Sequence, residues 1–366
     1  MRIWGRQGAI GGRVARVGLA AVALLLAANS DGKAAPCTSN LCFSFQTDGA
    51  VFQSGQAGML DVATRFMQQL AALSTFRFAS GTNFFAQAGG AETITDRYRI
   101  WMEGYGLQSR SDARADFPGD KRKTFGGVAG AAMVVAPGLM FGLSVDQSQT
   151  KVDVTSAAQT GRIDLTQIGA IAAYENGPWN LGANVVHGYG DLRSNRADFG
   201  SVSTANYQAR LWAALVQLSY YWEFPNNYRI VPKLTFDWTQ SRSDAFQEMG
   251  GVLPVSGTST TASRTRMLIG AEVGHSWFSG KTIMDLSAYG RLVDNLSQNP
   301  GIVQVFDSIG PLQPLSGLRE SDFGADAGAT LSAKLSDALR LYVLYEGRYR
   351  SNFTSHSATA GAEFRF

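Results

Sequence analysis

Charged side chains of both signs recur at even spacings in separate stretches of this sequence. They group as Arg97, Arg99 and Glu103; Lys233 and Asp237; Arg264, Arg266 and Glu272; Asp285 and Arg291; and Arg340, Glu346 and Arg348. Asp326 and Arg365 sit in similar alternating surroundings. An even spacing puts side chains on one face of an extended strand. Turned inward, such faces can pair into a network that holds a buried helix and water, or line a gate or selectivity filter. They also suit an interior that is merely solvated. No catalytic constellation accompanies them: there is no G-x-S-x-G elbow, no H-E-x-x-H, no phosphate-binding Walker sequence and no His/Cys cluster. His187, His275 and His356 are far apart, and the first two share a face with apolar neighbours, which suits rim positions. The chain is therefore read as non-enzymatic, without cofactor or metal. Cys37 and Cys42, the only cysteines, are expected to close a small disulfide loop in an oxidising compartment.

The composition constrains what could present these faces. Among 366 residues, 45% are hydrophobic and 41 are glycine, and the mean hydropathy is −0.07. Beyond residue 30 no apolar run approaches the ~20 residues of a spanning helix. Apolar residues spread thinly and evenly suit strands with one face toward lipid and one toward a wet lumen. A net charge of +3 without a Lys/Arg run makes nucleic acid an unexpected partner.

Residues 1–30 have the form of an export signal, with Arg2, Arg6, Arg13 and Arg16 ahead of an apolar run from Gly18 to Ala28. Cleavage is expected after Ala28 or Ser30, with Ala35 as a third option. A segment 31–55 follows, then an amphipathic helix over 56–75. There Met59, Val62, Phe66, Leu70 and Leu73 form one face, and Asp61, Arg65, Gln68 and Gln69 fill the other. That helix is expected either inside a barrel, its polar face meeting the lumenal charges, or packed on a periplasmic surface. A linker over 76–94 leads into the strands.

From 95 to 366 the pattern gives twelve strands, beginning near Asp96, Lys123, Gly138, Gly161, Trp179, Asn206, Asn227, Ser263, Thr282, Asp322, Ala338 and Phe353. Tight-turn sequences such as Ala136-Pro137-Gly138 and Glu175-Asn176-Gly177-Pro178 alternate with longer connections. The longer ones are expected over 108–122, 155–160, 194–204, 244–262 and 296–321. Short turns on one side and long loops on the other mark an outer-membrane barrel. The expected fold is thus all-β, a 12-stranded antiparallel transmembrane barrel with an N-terminal helix. Trp179, Tyr220, Tyr221, Trp222, Trp238, Trp277 and Phe278 are expected in interfacial girdles. The loops 244–262 and 296–321, rich in Ser, Thr, Gly or Pro, are expected to be generic mobile surface loops. Surface adhesion through them carries no motif. A barrel phospholipase with Ser and His on its outer wall is the enzyme alternative.

The stretch Arg99-Ile100-Trp101-Met102-Glu103-Gly104-Tyr105-Gly106 resembles the first-strand motif of the autotransporter translocator domain. Gly138 to Val145, Gly188-Tyr189-Gly190, Val231-Pro232-Lys233-Leu234 and Gly361 to Phe366 are similar to further stretches of that family in the same order. The resemblance covers residues 95–366, and the helix stands where the family has its pore-threading helix. Thr359, Gly361, Phe364 and Phe366 resemble the signal by which outer-membrane barrels present their last strand to the assembly machinery. The resemblance implies the bacterial outer membrane and type V secretion. The expected partners are outer-membrane lipid and lipopolysaccharide, periplasmic chaperones and the barrel-assembly machinery, with the chain itself a monomer. Family members usually carry a long secreted passenger, whereas here only residues 31–55 separate signal from helix. The expectation is a translocator that exports or displays this short segment. The alternative is a passenger-less, plugged pore.

Overall fold

The computed structural model describes residues 49–74, 97–114, 117–307 and 314–366. The expected signal segment, Cys37, Cys42 and the linker 76–94 lie outside the described residues.

Twelve long strands follow one another: β1 (Tyr98–Ser111), β2 (Asp120–Ala136), β3 (Leu139–Val154), β4 (Gln159–Asn176), β5 (Trp179–Asp198) and β6 (Ser201–Tyr220). The second half comprises β7 (Tyr228–Ser243), β8 (Thr260–Ser279), β9 (Thr282–Asn299), β10 (Phe323–Lys334), β11 (Leu339–Arg350) and β12 (Phe353–Arg365). Each pairs antiparallel with its neighbours in sequence. The sheet closes where β12 meets β1, from Arg99 opposite Arg365 to Ser111 opposite Phe353. Closure leaves no edge with unpaired backbone groups, which is what allows strands to sit in hydrocarbon. Large apolar side chains cover the outside, including Ile100, Phe141, Leu143, Ile168, Val185, Leu292 and Val343, all exposed.

Pro232 tests this ladder, because proline has no N–H to donate. The β6 to β7 pairing ends at Ser219 opposite Lys233, and a short segment, Trp222–Phe224, pairs again only from Ile230 outward. Pro232 falls in that gap, near the short-turn end.

Aromatic residues collect at the same end. Trp179 contacts Tyr220 edge-on at 4.8 Å, Tyr228 stacks on His275 at 4.2 Å, and Tyr98 lies 5.8 Å from the carboxy-terminal Phe366. Tyr221 departs from the expected girdle. It is buried, and its backbone N–H donates to the Pro178 carbonyl at 2.9 Å.

The connection expected over 194–204 is not a long loop. Strands β5 and β6 pair as far as Asp198 opposite Ser201, and only Phe199 and Gly200 turn between them, both with positive φ. Beyond the apolar band this hairpin keeps its ladder because Met249–Gly250 adds a strand to β6.

One helix, α1 (Ala50–Leu73), occupies the lumen and is buried along nearly all of its length. It begins six residues ahead of the expected start, and the alternative place on a periplasmic surface is ruled out for this segment. Its apolar side lies against β3 to β7, where Ile163, Leu165, Ile171, Leu192, Leu211 and Leu215 point inward and are buried. This half of the lumen is therefore an apolar seat, not a wet wall. Gly169 makes the seat possible: a Cβ there would lie 2.7 Å from Leu70 Cδ1 and 3.1 Å from Phe66 Cε1. Gly169→Val is expected to destabilise the helix-filled barrel by about 1–3 kcal/mol, the usual cost of overpacking. A urea titration of the folded protein in detergent reads it, with wild type as reference.

Candidate functional site

The polar stripe of α1 consists of Asp61, Thr64, Arg65, Gln68 and Gln69, at the three- and four-residue steps that align one helix face. Every one of them meets a partner on the wall. Asp61 pairs with Arg122 of β2 at 3.3 Å. The Thr64 hydroxyl accepts from Arg264 of β8 at 3.0 Å. Gln68 accepts from Arg291 of β9 at 3.3 Å.

Arg65 and Gln69 converge on Glu103 of β1. The Arg65 guanidinium lies 3.3 Å from one carboxylate oxygen, and the Gln69 amide donates to the other at 2.5 Å. The Tyr342 hydroxyl donates to that same oxygen at 2.5 Å. Arg65 also donates to Thr359 at 3.1 Å and lies over the Tyr105 ring, 3.5 Å from its centroid. Glu103 and Arg65 are only 6% and 4% exposed, so little water screens the pair. Buried charges persist only when paired and hydrogen-bonded.

The ends of α1 are fixed at opposite mouths. At its start, the Val51 N–H donates to Gln159 at 2.9 Å, and Gln56 donates to the Thr260 carbonyl at 3.1 Å. Gln159 and Thr260 open β4 and β8 at the long-loop mouth. At its finish, Arg99 donates to the Leu73 carbonyl at 2.8 Å, and Asn184 donates to the Met67 carbonyl at 3.0 Å. The helix thus runs from the long-loop mouth to the short-turn mouth.

Over the first turn of α1 sits a lid built from the segments 244–259, 300–307 and 314–322. Phe246 stacks on Phe52 with ring centroids 3.4 Å apart, and Val255, Val303, Val305 and Leu315 are buried beside it. Short pairings, 246–247 and 305–306 with 256–257 and 302–303 with 315–316, give the lid its own sheets. Arg196 at the rim pairs with Glu248 at 2.7 Å. Asp198 accepts from the N–H groups of Val252 and Leu253 at 2.7 and 2.6 Å. Glu320 pairs with Arg264 and lies 3.8 Å from Arg350. Burial works against its charge, but these guanidinium groups outweigh that and hold the carboxyl below its ordinary range. Where generic surface loops are expected, Phe246, Val255, Val303, Val305 and Leu315 turn inward over the first turn of α1, while Met249, Val252 and Ile302 stay exposed.

A barrel of twelve strands with a helix in its lumen invites comparison with known proteins. The family model described as the autotransporter beta-domain matches residues 100–346. The chain belongs to the autotransporter beta-domain family. Among solved structures, the translocator domain of autotransporter NalP from Neisseria meningitidis has a TM-score of 0.61 at 14% identity. That likeness covers 83% of this chain and 99% of the other. The beta domain of the Bordetella autotransporter BrkA gives 0.55 at 20% identity, over 74% of this chain and all of that one. At these identities the likeness is one of fold. No curated protein matches the chain. The autotransporter fold places the barrel in the bacterial outer membrane.

Within this autotransporter barrel the sequence-derived charges fall into three groups. Arg99, Glu103, Arg264 and Arg291 touch α1 directly. Arg266 with Asp237 at 2.5 Å, Arg348 with Glu346 at 2.8 Å and Arg340 with Glu363 at 3.6 Å pair along the wall. Lys233 with Glu272 at 2.8 Å and Asp285 with Arg229 at 2.5 Å form a cluster toward the short-turn mouth. Asp326 pairs with Arg350 at 3.0 Å, and Arg365 with Glu363 at 2.7 Å. Arg97 lies one residue before β1 and is exposed, and its carbonyl accepts from the Val134 N–H at 2.9 Å.

Arg122, Arg229, Glu320, Arg350 and Glu363 carry as much of the network; alternation puts Arg229, Arg350 and Glu363 on the polar faces of their strands, whereas Arg122 and Glu320 fall outside it. Arg122 had been assigned to a loop, and Glu320 comes from the lid. In the terminal strand, Thr359 turns inward to Arg65. Gly361 lies under the Tyr342 ring, where a Cβ would come within 2.5 Å of Cζ. Phe364 and Phe366 are exposed outside. Among the described residues no group of three or more His, Cys, Asp or Glu could hold a metal ion.

Proposed function

We propose that this translocator barrel displays the chain preceding α1 at the cell surface and retains α1 as the plug of its lumen. Residues 31–49 are what it would present. The observation that carries this is the direction of α1. Its first residue lies at the mouth with the long loops, which in outer-membrane barrels is the extracellular one. The emerging part would end at Gly49, because Val51 and Phe52 are already buried beneath the lid. The charged stripe partners then act as anchors for the helix, and the outward Phe364 and Phe366 fit recognition of the last strand by the barrel-assembly machinery.

A second reading, a plugged pore that displays nothing, draws on the filled lumen and the closed lid. An epitope tag inserted after Cys42 separates the two. Antibody binding and protease removal on intact cells are the expected result. A tag seen only after permeabilisation would leave the segment in the periplasm and sink the display reading.

A further inference from the structure

On the outer wall, above the apolar band on the long-loop side, four cations stand directly opposite one another across four adjacent strands. Lys123 of β2 faces Lys151 of β3, Lys151 faces Arg162 of β4, and Arg162 faces Arg193 of β5. On the next two strands, Arg210 of β6 faces Arg242 of β7. All six are exposed. Directly opposed residues have Cβ atoms only about 4.5–5.5 Å apart, and like charges in that relation destabilise a sheet. A sequence that places three such contacts in one row needs a compensating anion.

The wall itself supplies little of it. Arg162 is held by its neighbour Asp164 at 2.9 Å, and Asp164 also accepts from Gln149 at 3.1 Å. Asp191 accepts from Gln208 at 3.2 Å, and Asp153 from Thr155 at 3.0 Å. Lys123, Lys151 and Arg193 make no ion pair among the described residues. Asp153, Asp164, Asp191 and Asp244 therefore share this surface with the six cations and with Lys121, which stands directly opposite Asp153, so cations outnumber carboxylates.

The height of the belt selects its occupant. On β2 the outward residue after Lys123 is Phe125, 72% exposed, where the apolar surface begins. On β5 the outward residues after Arg193 are Asp191 and then Tyr189, 59% exposed. On β3 and β4 the polar margin is wider, with Gln149 and Gln147, and Asp164 and Thr166, ahead of the exposed Val145 and Ile168; cations on such a margin above a lipid-facing surface lie level with headgroups.

We propose that the belt Lys123, Lys151, Arg162, Arg193, with Arg210 and Arg242 beside it, binds the phosphorylated headgroup of an outer-leaflet glycolipid. Several phosphates on one sugar headgroup would bridge adjacent strands and turn the repulsive row into an attractive one. Lysines would act as point charges and the arginines as two-pronged donors.

The test uses the full barrel in detergent, titrated with purified lipopolysaccharide, with phosphatidylglycerol and with inorganic phosphate. The variant Lys123→Gln/Lys151→Gln/Arg193→Gln removes the three unpaired cations, and retained heat-modifiable mobility on gels shows that it is folded. Wild type is expected to bind lipopolysaccharide at least tenfold more tightly than phosphatidylglycerol, with an affinity that falls as salt rises. The variant is expected to lose most of that difference, and millimolar phosphate is expected to leave wild-type binding in place. Equal binding by variant and wild type would overturn the proposal. Equal affinity for both lipids would reduce the belt to a general anion surface, and full displacement by phosphate would reduce it to a simple ion site; either would overturn the glycolipid assignment. A second variant, Lys123→Arg/Lys151→Arg, keeps the charge and is expected to bind like wild type.

Discussion

Removing Ala50–Leu73 is expected to turn a closed barrel into a conducting one. In the intact protein the helix fills the lumen, with its apolar side seated on β3 to β7 and its polar stripe tied to β1, β2, β8 and β9. Between α1 and the charged wall lies a cavity of about 120 Å³ bordered by Gln69, Lys233, Glu272, Tyr289, Arg340 and Tyr342. Taking out a helix about 10–12 Å wide with its side chains leaves a bore of that order. The lid loses its support at the same time, since Phe246, Val303, Val305 and Leu315 pack on the first turn of α1. Single-channel conductance in planar bilayers is expected to rise on the order of tenfold, with ion selectivity set by the newly exposed charges. The deletion also bares Ile163, Leu165, Leu192 and Leu211 to water, so the opened barrel is expected to unfold at lower urea. Conductance equal to wild type, in a barrel shown to be folded, would move the seal from the helix to the lid.

Much of the barrel could be read along the chain, and the failures have physical causes. In β11, Leu341, Val343, Tyr345 and Tyr349 are exposed outside while Glu346, Arg348 and Arg350 are buried, as period-two alternation requires. β12 begins at Phe353 as expected. Alternation failed as a guide in β4, where Ile163, Leu165 and Ile171 point inward and Ile168 outward. Over 162–166 the outward residues Arg162, Asp164 and Thr166 are polar and the inward ones apolar, the reverse of a wet lumen, because this part of the wall meets the helix. The early start of α1 was hidden for a related reason. Ala50 to Gly55 has no amphipathic stripe, and these residues are helical because the lid and wall enclose them on all sides. Charged residues were visible one by one, but their partners were not. Arg65 and Glu103, or Arg264 and Glu320, meet only once all twelve strands have closed in register around the helix. Lid residues such as Phe246 and Leu315 gave no signal because their burial is against α1, far away in sequence.

Arg65 and Glu103 form the contact at which a single change should cost most. Glu103→Ala takes the shared carboxylate away from three buried donors: the Arg65 guanidinium, which keeps only Thr359 and the Tyr105 ring, the Gln69 amide and the Tyr342 hydroxyl. Breaking a buried ion pair from one side costs about 3–5 kcal/mol, because the remaining charge stays uncompensated. Arg65→Ala should be milder. Glu103 would keep its hydrogen bonds from Gln69 and Tyr342, although the Tyr105 ring would lose its cation. The double variant is expected to be less destabilised than the sum of the two singles by more than about 0.5 kcal/mol, the limit within which independent sites add. Urea titrations of the four proteins, folded into detergent micelles, measure this cycle. Strict additivity would mean that water already screens the pair, and that α1 is held in the lumen by its apolar seat alone. Coupling would show that the polar stripe fixes the rotation of α1, since turning the helix by one residue would carry Arg65 away from Glu103 while the apolar side could still find Leu and Ile to pack on.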